Sequence, residues 1–457
     1  MPVSRSALVA WTLFDWACQP FFTLVTTFVF APYFAAALAP DPATGQAWWG
    51  YATAAAGLAL AVSSPFLGSV ADATGSMKPW IAASCAVLAV AAASLWFAAP
   101  GASGAVPLAL AAFAIGTVAA EVAAVFNNAM MARLVGPDGL GRLSGTGWAV
   151  GYAGGLASLI LVLGFLAASP ETGRTFLGLA PAFGLDPGLR EGDRASGPLA
   201  ALWLLAFVWP LFLFTPDAPA TGTSLRGAFR EGFVRLAATV AEARAHPTIG
   251  RFLLANMIYQ DGLVALFAFG GIYGAGVFGW GPVELGLFGI LLTVTGSIGA
   301  VVGGVLDDRV GARPVILGSL VVLLAVCLGI LSIGRDHVFF TVPTAPASDA
   351  DGLFGSTPER VFLALGLAIG AVAGPLQASS RAYLARAVPA EDAGRYFGLL
   401  ALSGKVTSFL APLTVAVATQ AAGTQAAGPA VLIAFFATGA ALIASAGRVN
   451  AGSGGGR

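Results

Sequence analysis

Charge is what this sequence has least of. Only 10% of its 457 residues are Asp, Glu, Lys or Arg, whereas a water-soluble chain carries about a quarter. That excludes a soluble enzyme. Histidine is close to absent: His246 and His337 are the two, so no HExxH zinc helix can be written. There is no GxSxG nucleophile turn. Gly404-Lys405 is followed by Val406, and Leu399 stands where a phosphate loop needs glycine, so there is no nucleotide motif. The three cysteines, Cys18, Cys85 and Cys327, sit in apolar stretches and make no CxxC pair. They read as small buried hydrophobes. The 22 basic and 22 acidic residues balance, so neither a nucleic-acid surface nor an acidic tail is expected. No cofactor and no metal site is expected either.

What is abundant is apolar surface. Hydrophobic residues make up 58% of the chain, and the mean hydropathy is +0.85. In a bilayer the unit of structure is a helix of about 20 apolar residues. Such segments fall at 8–38, 48–71, 79–99, 106–132, 143–167 and 198–215, then at 249–277, 283–306, 314–334, 360–384, 396–421 and 428–447. The pattern predicts an all-α membrane protein of twelve spanning helices. It divides into residues 1–215, a polar linker at 216–248, and residues 249–457. The linker holds Arg226, Arg230, Glu231, Arg235, Glu242 and Arg244 and reads as an amphipathic helix. Ala37-Leu38-Ala39 mimics a signal-peptidase site, but the apolar run before it, from Trp16 to Leu38, is too long for a signal peptide. It is expected to remain as the first span.

With the N-terminus placed inside, the inner segments carry fifteen basic residues against five outside. The positive-inside rule then sets both termini in the cytoplasm, with the protein in the inner membrane. The long loops 168–197 and 335–359 are outside.

The two halves repeat. At an offset of 253, Arg133 matches Arg386, Gly141 matches Gly394, Arg142 matches Arg395 and Gly145 matches Gly398. At an offset of 236, the stretch Gly68 to Asp72 and Gly75 matches Gly304 to Asp308 and Gly311. Two six-helix halves in the same orientation form a parallel repeat. The Gly-x-x-x-Asp-x-x-Gly pattern suits the inner rim. Its glycine allows close helix approach, and its Asp can cap a neighbouring helix end. Asp72, Gly75, Asp308, Arg309 and Gly311 are therefore the candidate gating residues.

Charges within spans are costly and usually face a cavity or a partner. Asp15 lies in the first segment, Glu121 in the fourth, Asp261 in the seventh, Arg381 near the inner end of the tenth and Lys405 in the eleventh. Gln19 shares a face with Asp15, Asn128 with Glu121, and Gln377 with Arg381. These eight are the candidate substrate- or proton-binding residues; a structural ion pair is the competing reading. The glycine stripes Gly147, Gly151, Gly155 and Gly366, Gly370, Gly374 read as close helix packing.

The inner-rim pattern resembles the signature loop of the major facilitator superfamily, with Ala73 where an Arg is usual. Trp11 to Ala17, Arg142 to Tyr152, Gly270 to Tyr273, Gln377 to Arg381 and Ser403 to Ser408 resemble one branch of that superfamily. It is the bacterial branch related to the yeast autophagy-linked vacuolar amino-acid effluxer. Cys18-Gln19-Pro20 departs from that branch beside Asp15. The resemblance implies a secondary transporter whose segments 1, 4, 7 and 10 line a central cavity. Its partners would be a small solute, an amino acid first among them, protons, and the lipid bilayer. An exporter of drugs or metabolites on the same fold, and a non-transporting membrane sensor, are the alternatives.

Overall fold

A chain this apolar must satisfy its backbone polar groups within itself, which a helix does segment by segment. The computed structural model describes residues 3–40, 42–223, 227–228, 241, 247–278, 280, 282–344, 352–405, 407, 410–422 and 427–446. All twelve expected segments are helical. They are α1 (Arg5–Leu38), α2 (Pro42–Thr74), α3 (Lys78–Phe97), α4 (Ala105–Leu134), α5 (Leu140–Leu161, continued by a π-helical turn Val162–Leu166) and α6 (Ser196–Phe214). Then come α7 (Pro247–Tyr273), α8 (Pro282–Val310), α9 (Ala312–Leu331), α10 (Thr357–Ala387), α11 in two pieces (Ala393–Lys405 and Leu410–Ala422) and α12 (Ala427–Ser445). Among the described residues, nine helices are long and apolar enough to cross a membrane. The linker's charged residues from Arg226 to Arg244 lie outside the described residues.

Two spans differ from uninterrupted α-helices. Helix α1 is α-helical over Arg5–Pro20, then turns π-helical at Phe21–Phe28 and again at Phe34–Leu38, with a break at Val29 (φ −121°). Two prolines flank these changes: Pro20 immediately precedes the first π-helical stretch, and Pro32, which has no N–H to give the Phe28 carbonyl, follows the break at Val29. The Thr27 hydroxyl donates to the Phe22 carbonyl at 3.0 Å within the widened region. Helix α10 opens on a complete capping box, in which Ser356 and Glu359 satisfy each other's backbone N–H groups. The loop after α9 also holds a short antiparallel pair, His337–Val338 with Val342–Pro343. Two residues per strand leave no periodicity in the sequence to read.

The chain packs as two compact units. The first comprises Met1–Leu134, Val150–Leu236 and Ala390–Ala401; the second comprises Val135–Ala149, Ala237–Pro389 and Leu402–Arg457. Each takes one short segment from the opposite half of the sequence. In the first unit Trp11, Phe14, Phe21, Tyr33, Phe34, Phe113 and Phe126 are fully buried. In the second, Phe252, Tyr259 and Tyr383 are, with Phe252 stacked on Tyr383 at 4.5 Å between ring centres. Large apolar side chains such as Val90, Leu202, Ile298 and Val321 are exposed on helix surfaces, as a lipid-facing surface requires. All three cysteines are buried and free.

The glycine stripes do pack helices closely. In the first unit a Cβ on Gly151 would meet the Asp15 Cβ at 3.3 Å, and one on Gly155 would strike the Thr23 hydroxyl and lie 2.9 Å from Gln19 Cγ. In the second unit Gly366, Gly370 and Gly374 of α10 press on Phe288, Thr295 and Gly296 of α8.

Candidate functional site

In the first unit α1 and α4 touch at two levels. The Trp11 indole N–H donates to the Asn127 carbonyl at 2.8 Å. Further along, the Phe21 ring lies so close to Gly116 that a Cβ there would come within 2.7 Å. Ten residues separate the contacts on α1 and eleven on α4, in opposite directions, so the helices run antiparallel. Asp15 and Glu121 both fall between these levels, about 6 and 9 Å from the Trp11–Asn127 bond at 1.5 Å per residue. Asp15, Gln19, Glu121 and Asn128 are all half-buried. On α4 the half-buried positions Thr117, Glu121, Ala124 and Asn128 recur at helical spacing. Thr117, Glu121 and Asn128 therefore share one half-buried stripe of α4, beside the buried Ala120, Val122, Ala123, Val125 and Phe126. Asn127, next to the stripe, is fully buried, and among the described residues its side-chain amide finds no hydrogen-bond partner.

The second unit contains the other acid. Asp261 is 2% exposed. Among the described residues neither carboxylate oxygen has a hydrogen bond of ordinary geometry; the Ala411 backbone N–H and the Thr407 hydroxyl face it more loosely. On the same helix, the Tyr259 hydroxyl shares a hydrogen bond of 2.7 Å with the Ser380 hydroxyl, and the Asn256 amide donates to Ser403 at 3.0 Å. Gln377 is half-buried. Arg381 is buried. Its Nε donates to the Ser144 hydroxyl at 3.0 Å, a second guanidinium nitrogen donates to the Ser144 carbonyl at 2.7 Å, and the guanidinium lies 5.3 Å from the centre of the Trp148 ring. Lys405 ends the first piece of α11, and its side chain lies outside the described residues.

The gating candidates form two matching locks, one per unit. In the first, Asp72 accepts the backbone N–H of Gly394 at 3.1 Å and of Arg395 at 2.7 Å, at the start of α11. Arg133 donates to the Ala390 carbonyl at 3.1 Å and to the Gly75 carbonyl at 3.4 Å. In the second, Asp308 accepts the N–H of Gly141 at 2.9 Å and of Arg142 at 3.1 Å, at the start of α5. Arg386 donates to the Pro137 carbonyl at 2.7 Å, to Asp307, and to Asp308 at 3.4 Å. Pro137 and Ala390 are themselves related by the repeat. The two locks are thus the same bonds with the sequence halves exchanged. A carboxylate at a helix N-terminus meets unsatisfied N–H groups and the positive end of the helix dipole.

Glycine is required where these elements meet. A Cβ on Gly68 would strike the Gly394 carbonyl, and one on Gly304 would lie 2.6 Å from the Gly141 carbonyl. Gly75 and Gly311 take φ of +83° and +89°, a region that residues with a Cβ rarely adopt. Arg309 is exposed. Sequence reasoning did not select Asp307, which is 1% exposed and ion-paired to Arg386, nor Arg133 or Arg386 as functional groups. The signal was present: an Arg repeated at one position of both halves. In the first unit, Asp217 caps the start of α3. It accepts the Ser76 hydroxyl at 2.5 Å and the Met77 and Lys78 N–H groups at 3.0 and 2.9 Å. Partial burial would raise its carboxyl, but these bonds, with one from the Ala218 N–H, hold it below the ordinary carboxylate value.

Comparison with known proteins agrees with this geometry. The family model described as vacuole effluxer Atg22 like matches residues 139–452. An uncharacterized MFS-type transporter of Bacillus subtilis, YxiO, is 24% identical over 445 residues, covering 95% of this chain and 93% of that protein. Autophagy-related protein 22 of Cryptococcus neoformans is 27% identical over 286 residues, covering 62% of this chain and 46% of that protein. Among solved structures, the human organic anion transporter MFSD10 superposes with a TM-score of 0.69 at 16% identity, covering 97% of this chain and all of that one. The FucP transporter in its outward conformation also gives 0.69, at 15% identity, with 97% and 98% covered. At these identities the structural likeness establishes the fold.

Proposed function

Because this chain belongs to the Atg22-like vacuole effluxer family of major facilitator transporters, we propose that it moves amino acids across the bacterial cytoplasmic membrane by proton-coupled alternating access. Both termini face the cytoplasm, since the basic residues concentrate on that side. The halves 1–215 and 249–457 are the moving bundles, and 216–248 connects them. The locks at Asp72 and Asp308 support this reading more than any other feature. Each holds a helix start from the other half of the sequence, so releasing both lets 135–149 and 390–401 move with their own halves. The bonds are individually modest, about 1 kcal/mol each at a helix end, as a contact made and broken in every cycle must be.

The polar stripe on α1 and α4 supports the choice of cargo. In the first unit Asp15 and Glu121 offer carboxylates to an ammonium group, and Gln19 and Asn128 offer amides to either end of a zwitterion. In the second unit Gln377 and Lys405 are the candidate groups for a carboxylate. Glu121 is the first candidate proton carrier, with Asp15 and Asp261 next, since an intramembrane carboxyl is the usual group in such relays. Arg381, through Ser144 and Trp148, steadies the start of α5 beside the Asp308 lock. No step of this cycle needs a cofactor. The test is counterflow in proteoliposomes: protein loaded with each of a panel of unlabelled amino acids and offered the labelled form outside. Labelled solute should overshoot for at least one amino acid. Overshoot with apolar drugs and with no amino acid would move the assignment to a drug exporter. No overshoot with any solute, together with saturable ligand binding, would make the protein a sensor.

A further inference from the structure

Two loops that the sequence places outside carry their largest apolar side chains on the surface. In the loop after α5, Phe176 is 77% and Phe183 is 94% exposed, with Leu177 and Leu179 beside them. In the loop after α9, Phe339 and Phe340 are 65% and 60% exposed. Phe183, Phe339 and Phe340 take φ of +59°, +51° and +67°. That region is disfavoured for any residue with a Cβ and is held only where the surroundings demand it. A turn that merely had to close would carry glycine or asparagine there.

The loops do not project freely from the helix ends. Each folds back and donates a phenylalanine N–H to the last turn of the helix it leaves. The Phe176 N–H bonds the Leu163 carbonyl at 3.0 Å, and the Phe340 N–H bonds the Ser332 carbonyl at 2.8 Å. Both acceptors are carbonyls that a helix end leaves without a partner. Leu177 packs on the same turn: a Cβ on Gly164 would meet its Cδ1 at 3.2 Å. Gly164 lies within the apolar span that ends at Leu166, and Phe165 on that turn is 44% exposed. Phe176 and Leu177 are therefore level with the end of α5 and beside its outward apolar face. Polar groups sit at the other end of the first loop, where Glu171 and Thr172 are exposed.

From this geometry we infer that the loops 168–190 and 335–344 are membrane-anchoring hairpins whose phenylalanines lie in the outer phospholipid leaflet at the headgroup–acyl boundary. Phenylalanine and leucine form the apolar face of interfacial segments, which sinks about 5–10 Å into that boundary. Lipid covers the side chains that water would otherwise meet. The folded-back hydrogen bonds fix their depth, and the left-handed residues aim the rings outward. Each hairpin ties the outer end of the helix before it, α5 in one unit and α9 in the other, to a set level in the bilayer.

The experiment uses the full chain in phosphatidylethanolamine and phosphatidylglycerol vesicles. Nitroxide labels are placed singly at Phe176→Cys, Phe183→Cys and Phe340→Cys, with Glu171→Cys as the aqueous reference. The native cysteines are buried. The expected result is several-fold higher accessibility to oxygen relative to a water-soluble nickel chelate at 176, 183 and 340 than at 171. In parallel, unaltered protein in the same vesicles is irradiated with a phospholipid carrying a photoreactive group high on its acyl chain. Peptides containing 176–183 and 338–342 should be labelled. Nickel accessibility at 183 and 340 equal to that at 171, with no labelled peptide, would place the loops in water and overturn the inference. Shielding from both oxygen and nickel, again without lipid labelling, would assign the surface to a protein partner and overturn it equally.

Discussion

Arg133 donates to the Ala390 carbonyl at 3.1 Å, and the bond recurs with the halves of the sequence exchanged, from Arg386 to Pro137 at 2.7 Å. The repeat relates the two donors and the two acceptors by the same offset of 253.

Asp308→Asn keeps the shape of the acceptor and removes its charge. The lock should weaken by about 1 kcal/mol, roughly a fivefold change in the balance of facing states. Asp72→Asn should act in the same direction, and the double variant should show a larger shift than either alone. Accessibility of single cysteines near the inner ends of α5 and α11 to an impermeant thiol reagent reads this. Unchanged accessibility in all three variants, with normal expression, would show that the locks do not gate.

Gly68→Ala places a methyl group against the Gly394 carbonyl, whereas a Cβ on Gly404 has nothing within 4 Å. The first should lower thermal stability by about 1–3 kcal/mol, as overpacking does; the second should be close to neutral. A fluorescence-monitored unfolding series in detergent distinguishes them, and equal destabilisation would contradict the close approach of α2 to the start of α11.

Asp217 stabilises the start of α3 as a carboxylate. Its folded-state value lies below the ordinary 3.8. The stabilisation is therefore fully present above that ordinary value and is lost as pH falls through the depressed one. Asp217→Ala should cost about 1 kcal/mol at pH 7, and the gap from the unaltered protein should close only on the acid side of pH 3.8. A gap unchanged down to acid pH would mean that the charge has no part in the cap.

Topology is open to direct test. Alkaline phosphatase fused after residue 450 should be inactive, and a fusion within 185–195 active. The reverse pattern would invert the assigned orientation.

The helical segments were legible from hydropathy, which among the described residues marks nine of them as long and apolar enough to span, and Asp72 and Asp308 because Gly-x-x-x-Asp-x-x-Gly occurs twice. Asp72 and Asp308 each accept two backbone N–H groups at a helix start. Asp307 was not legible, since its counterpart in the first copy is Ala71 and a lone acid beside another acid carries no pattern. Arg381 was read from its charge as a binding group. Its bonds to Ser144 depend on a tertiary contact between segments more than 230 positions apart, which no local spacing encodes. The π-helical turns after Pro20 were hidden for a different reason. Proline announces a disturbance, but whether a helix breaks, kinks or widens depends on what packs around it.

The most direct test of proton-coupled transport through the polar stripe is Glu121→Gln in proteoliposomes carrying an amino acid that the unaltered protein exchanges. Two rates are measured on each protein: accumulation driven by an imposed proton gradient, and exchange at equal concentrations on both sides. Accumulation should be abolished and exchange retained, because an amide can still bind but cannot carry a proton. Full proton-driven accumulation by Glu121→Gln would contradict the assignment and pass the proton to Asp15 or Asp261. Loss of exchange as well would place Glu121 in substrate binding or in the fold.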